Sequence, residues 1–135
     1  MLSDEGIGLR VIDEILSRKV RGVKAIKGHL IGIDLLFELE KYSVILVVDA
    51  MRAGLEPGDF RLLDEDEITA EHVKWFSTHD ISLSDTLALK KSLGIQAKVM
   101  ILGIQVKSLK FGDEISRELL DRIPEYIDII LGIKF

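Results

Sequence analysis

The sequence of 135 residues contains no cysteine. That absence removes disulfides, zinc–thiolate sites and cysteine nucleophiles, and it is compatible with an intracellular compartment. Any metal must therefore take oxygen or imidazole ligands. Basic residues are also in short supply, with 18 Lys and Arg against 23 Asp and Glu, a net charge of −5 and a pI near 5.2. A nucleic-acid surface needs clustered Lys and Arg to displace counterions, so nucleic acid is not an expected partner. Long apolar runs are missing too: the longest, such as Val44 to Val48, fall far below the roughly 20 residues that span a bilayer. With no basic-then-apolar leader at the N-terminus, the expectation is a soluble, cytoplasmic protein without membrane insertion. Several motifs are absent as well. No Gly-x-Ser-x-Gly elbow, Walker loop or His-Glu-x-x-His pair occurs, and Gly6-x-Gly8 is too short for a dinucleotide fingerprint.

What is present suffices for one compact domain over residues 1–135, since 47% of the residues are apolar and the length suits a single core. Ile7, Val11, Ile12, Ile15 and Leu16 make a wide helical stripe and predict a helix from Ile7 to Arg18. The acidic pair Asp4-Glu5 lies just ahead of it, where carboxylates favour the helix dipole. Val23 to Lys27 alternates like a strand near a sheet edge. A loop from Gly28 to Gly32, carrying His29, leads to a helix over Asp34 to Lys41. Val44 to Val48 is uniformly apolar and mostly β-branched, the pattern of a central strand covered on both faces, and Asp49 follows it directly.

Glu56-Pro57-Gly58-Asp59 signals a turn. Phe60 to Leu63 then reads as a strand that no helix separates from its predecessor, so it should run antiparallel. Asp64 to Glu67 reads as a solvated acidic face, and His72 and Trp75 as part of an irregular stretch. Ser82 and Asp85 fit a capping box for a helix from Leu83 to Leu93, with Leu83/Leu87 and Leu89/Leu93 as its apolar pairs. His79 stands just outside that helix. Lys98 to Ile104 is the last strand, and a helical tail runs from Ser116, with Leu119, Leu120, Ile123, Ile127, Ile130 and Leu131 inward and a break at Pro124. This order predicts a three-layer α/β/α domain with a mixed, mostly parallel sheet.

In open α/β sheets, ligand sites gather at the carboxyl ends of parallel strands. Glu5, Asp49 and His79 all fall at loop positions after or between core elements, and two carboxylates with one imidazole suit a borderline divalent cation such as nickel or zinc.

The series Asp4-Glu5-Gly6-Ile7-Gly8, Gly28 to Gly32 into Asp34-Leu35-Leu36, Val47-Val48-Asp49-Ala50 with Pro57-Gly58, Ser77-Thr78-His79 and Gly103-Ile104-Gln105 resembles the nickel–iron hydrogenase maturation endopeptidases along nearly the whole chain. The resemblance implies a three-layer fold with one antiparallel strand. It also implies an endopeptidase that trims the C-terminal extension of a hydrogenase large-subunit precursor after nickel insertion. Glu5, Asp49 and His79 then match the acidic residue, aspartate and histidine through which the family reads the nickel that the substrate supplies. No organic cofactor is implied.

The sequence departs from the family in three places. The usual first strand, ending in Gly-Asn, is missing ahead of the acidic pair; the 28–32 loop lacks the Gly-Gly-Thr form; and Val106 replaces a common proline. A lost inner strand would leave backbone unpaired, so the expectation is either a misassigned start or a shortened protein that fills the gap by rearranging or as a homo-oligomer. The rival reading is a non-catalytic relative acting as a metal-sensing or protein-interaction module.

Overall fold

A computed structural model describes residues 3–25, 33–76, 83–107 and 114–135. A 3-10 turn over Ser3–Gly6 leads into α1 (Ile7–Arg18), followed by α2 (Ile33–Lys41) and β1 (Val44–Met51). Then come β2 (Phe60–Asp64), a 3-10 turn over Glu65–Glu67, α3 (Ala70–Trp75), α4 (Leu83–Ser92), β3 (Lys98–Gln105), α5 (Arg117–Leu120) and α6 (Ile123–Leu131). No helix among the described residues is long and apolar enough to cross a membrane.

The described strands form one mixed sheet in the order β1-β3-β2. β1 and β3 are parallel, with Val44 opposite Lys98 and Asp49 opposite Gly103. β2 runs antiparallel to β3, with Phe60 opposite Ile104, as the short β1–β2 connection requires. Among the described strands β3 occupies the middle and Val44 to Val48 lies at an edge, where its apolar run suggested a central place. Its residues from Val44 to Asp49 are only half-buried.

Strand alternation sends side chains to two layers. Leu46, Val48, Leu102 and Ile104 pack with Ile7, Val11 and Ile15 of α1 and with Tyr126, Ile127 and Ile130 of α6. On the other face Ile45, Val47 and Val99 meet Leu35, Leu36 and Leu39 of α2 and Leu87 of α4. Met51, Phe76 and Ile101 form a third cluster near the carboxyl end of β1. Helices thus cover both sheet faces, the expected three-layer arrangement.

Several local expectations change. Val23 to Ala25 is not a strand, and the rest of that segment, with His29 and the 28–32 loop, lies outside the described residues. His72 and Trp75 belong to α3, where Thr69 Oγ1 accepts from the His72 amide and His72 Nδ1 accepts from the Thr69 amide. The acidic run is not merely solvated: Glu65 pairs with the buried Lys90 at 3.0 Å and also accepts from the Val99 amide. Because Lys90 and Thr86 occupy the inner side of α4, Leu89 and Leu93 are exposed. Ser82, the expected cap, lies outside the described residues. In the tail Pro124 starts α6 as anticipated, while Leu131 points outward.

The Pro57-Gly58 turn is held from three sides. Gly58 N–H donates to Gln105 O at 2.9 Å, Tyr126 Oη donates to Gly58 O, and Arg122 pairs with Asp59. Gly58 has φ +90, and a Cβ there would meet Glu118 O at 2.9 Å. Burial pushes the Tyr126 phenol up to about 12. A raised folded-state value means that stability is intact below the unfolded phenol value near 10 and is lost as pH rises to about 12. Tyr126→Phe should therefore flatten that alkaline loss in urea melts, at a cost of about 1 kcal/mol at neutral pH. An unchanged alkaline profile would remove Tyr126 as its source.

Candidate functional site

The two acidic residues beside α1 have opposite environments. Asp4 is fully buried. One carboxylate oxygen accepts from the Ser116 amide at 2.7 Å, and the other accepts from the Lys107 amide at 2.7 Å and Ser116 Oγ at 2.8 Å. It therefore ties the N-terminal turn to the chain at the end of β3 and at the start of α5. A carboxylate satisfied by backbone amides is a strong buried anchor. Only the tertiary structure separates it from its neighbour, since nothing local distinguishes the two side chains.

Glu5 is half-buried and lines a cleft of about 270 Å³ along the outer edge of β1. Asp49 lines the same cleft. It lies within β1 rather than after it, two residues before Met51, the register partner of Gln105, and its Oδ1 accepts from the Ala50 amide at 2.8 Å. Gly8 makes the close approach of α1 to this edge possible. A Cβ at Gly8 would lie 2.4 Å from the backbone oxygen of Val48.

His79 lies outside the described residues. The described chain just before it is tied to the end of β1: Phe76 forms an antiparallel bridge with Met51, and Arg52 N–H donates to Trp75 O at 2.7 Å. Gly103 lets this junction close over β3, since a Cβ there would meet Met51 Sδ at 2.6 Å and the Phe76 ring at 3.0 Å. Gln105 fixes the chain that follows β1. Its Oε1 accepts from the amides of Ala53 and Leu55, and its Nε2 donates to Val106 O. The Val106 amide donates to Met51 O at 3.1 Å, a bond that proline at that position could not make.

The structure thus brings Glu5 and Asp49 to one cleft at the carboxyl end of β1. Among the described residues no group of three His, Asp or Glu is placed to hold a metal ion. Two carboxylates there could supply part of a divalent-cation site, with the rest coming from outside this set.

The sequence profile of the hydrogenase maturation proteases matches residues 10–133. The chain belongs to the hydrogenase maturation protease family. It is 30% identical over 134 residues to the hydrogenase expression/formation protein HupD of Thiocapsa roseopersicina, a match covering 96% of this chain and 61% of that protein. To HoxM of Azotobacter vinelandii it is 30% identical over 135 residues, covering 96% of this chain and 65% of HoxM. The chain therefore spans less than two thirds of the length of these relatives. The fold is similar to that of the hydrogenase maturating endopeptidase HybD from E. coli, with a TM-score of 0.81 at 24% identity, covering 97% of this chain and 83% of HybD. Membership of this family and the mixed α/β fold agree with the resemblance seen in the sequence.

Proposed function

We propose that this protein is a cytoplasmic endopeptidase that removes the C-terminal extension of a nickel–iron hydrogenase large-subunit precursor once nickel is in place. The bound nickel is read through Glu5, Asp49 and His79. The observation that carries this reading is the meeting of Glu5 and Asp49, remote in sequence, at one cleft within a hydrogenase maturation protease fold.

His79 is compatible with the same site. Phe76 is bridged to Met51, and three residues span at most about 10 Å of extended chain. Carboxylate and imidazole groups are competent ligands for nickel. The metal arrives as part of the substrate, held by the precursor's own cysteines, and its ligation by the protease positions the scissile peptide. No organic cofactor enters the scheme.

The test is cleavage of matched nickel-loaded and nickel-free precursors by the purified chain. The expected result is tail release from the loaded form only. Equal cleavage of both would refute nickel reading, and binding of the loaded precursor without tail release would identify a non-catalytic, metal-sensing relative.

A further inference from the structure

Gln105 closes β3 at the carboxyl end of the sheet and is only 7% exposed. A buried carboxamide has to be satisfied on both its oxygen and its nitrogen, and the partners here fix which way round it lies. Oε1 accepts from the Ala53 amide at 2.8 Å and from the Leu55 amide at 3.2 Å, while Nε2 donates to Val106 O at 3.0 Å. Turned over, the group would set its NH2 against two amide donors and its oxygen against a carbonyl. Gly54 stands between the two donors at φ +74, a backbone shape that glycine adopts readily and that lets both amides converge on one oxygen.

The carboxamide thereby holds the junction of two segments that lead to site candidates. Val106, whose carbonyl it grips, donates its own amide to Met51 O at 3.1 Å, two residues beyond Asp49. Ala53, whose amide it accepts, follows Arg52, and the Arg52 amide donates to Trp75 O at 2.7 Å. Phe76 bridges to Met51 at the same place, and His79 is three residues further along the sequence. Gln105 is itself firmly based: its N–H donates to Asp59 O at 2.7 Å, its carbonyl accepts from the Gly58 amide at 2.9 Å, and β3 pairs with both β1 and β2.

We propose that Gln105 is a positioning residue of the nickel-reading site, its carboxamide setting where the Trp75–Phe76 segment stands relative to the end of β1 that carries Asp49. It acts through residues 51–55 and not on the metal or the peptide. These residues are held from the β3 side by Gln105 and Val106 and from the α3 side by Trp75. Removing the first hold strands the Ala53 and Leu55 amides, frees the Arg52 peptide to shift and carries Trp75 O with it. A misplacement of about 1 Å in a reacting group costs on the order of 100-fold in rate. What the site does rests on the function proposed above; the mechanical link through Arg52 does not.

The experiment compares the full chain with its Gln105→Leu, Gln105→Met and Gln105→Glu variants in two measurements. One is amide hydrogen exchange by NMR on the chain alone, and the other is kcat/KM for tail release from nickel-loaded precursor. In Gln105→Leu, exchange should quicken about ten-fold at Ala53, at Leu55 and at Arg52, which Gln105 does not itself touch, with Val99 to Leu102 unchanged. Tail release should slow about 30-fold. Gln105→Met, apolar and as long as glutamine, should behave like Gln105→Leu. Gln105→Glu keeps an acceptor for both amides and loses only the bond to Val106 O, so it should stay within about five-fold of the parent in both measurements. If Gln105→Leu does not fold, the contrast between Gln105→Glu and Gln105→Met makes the same test.

Unchanged exchange at Arg52 would overturn the proposal, as would tail release by the apolar variants within about three-fold of the parent. Gln105→Glu as slow as Gln105→Met would also overturn it, because the residue would then only fill space at the strand end. A parent chain that releases no tail, or that cuts nickel-free precursor equally well, sinks the proposed function instead, and the exchange comparison then decides the link through Arg52 by itself.

Discussion

Asp4→Ala is expected to lower stability by about 3 kcal/mol, a drop of roughly 10 °C in melting temperature for a domain of this size. The substitution removes a buried carboxylate that accepts from two backbone amides and one hydroxyl. The Lys107 and Ser116 amides would be left short of an acceptor where water enters poorly, and stranded buried donors cost about 1–3 kcal/mol each. Asp4→Asn should recover part of the loss, since its amide oxygen keeps one acceptor while its NH2 group faces a donor. Glu5→Ala, one residue away, should barely move the melting temperature, because no bond to the Glu5 carboxylate is found among the described residues. Thermal melts of the three variants decide this. If Asp4→Ala melts within about 2 °C of the parent, the clamp is not a stability element.

Asp49→Ala should abolish nickel-dependent tail release, with a loss of about 100-fold or more in rate, because a missing metal contact costs at least what a lost outer-shell partner does. The fold should survive. Its Oδ1 accepts from the adjacent Ala50 amide, and the ladder that pairs β1 with β3 is made by backbone groups rather than by this side chain. Melting temperature is expected to shift by no more than about 3 °C. Cleavage of nickel-loaded precursor, run beside a melt of the same preparation, separates the readings: a large stability loss with residual activity would mark Asp49 as a strand-end structural residue. Glu5→Ala and His79→Ala should follow Asp49→Ala in the cleavage assay, since all three are proposed to act on one ion.

Much of the layer structure was legible because it depends on local periodicity. The stripe Ile7, Val11 and Ile15 faces the core, the turn at Pro57-Gly58 reverses the chain as its residues demand, and Phe60 to Leu63 is antiparallel because its connection is too short for a crossover. The failures have a common cause. The Val44 to Val48 run looked central because hydrophobicity reports the wish to be covered, not the identity of the cover; among the described strands β3 is central and a cleft lies beside β1. Leu89 and Leu93 looked inward for want of any local sign that Lys90 would find Glu65.

The sequence by itself determined most of the described helices and strands, the sense of β2 and the naming of the candidates Glu5, Asp49 and His79, since turn chemistry, apolar spacing and the family pattern are all properties of neighbouring residues. Only the tertiary structure decided that Asp4 is a buried clamp while Glu5 joins Asp49 at a cleft. Those outcomes depend on which distant backbone groups arrive beside a side chain, and a linear chain carries no local mark of that.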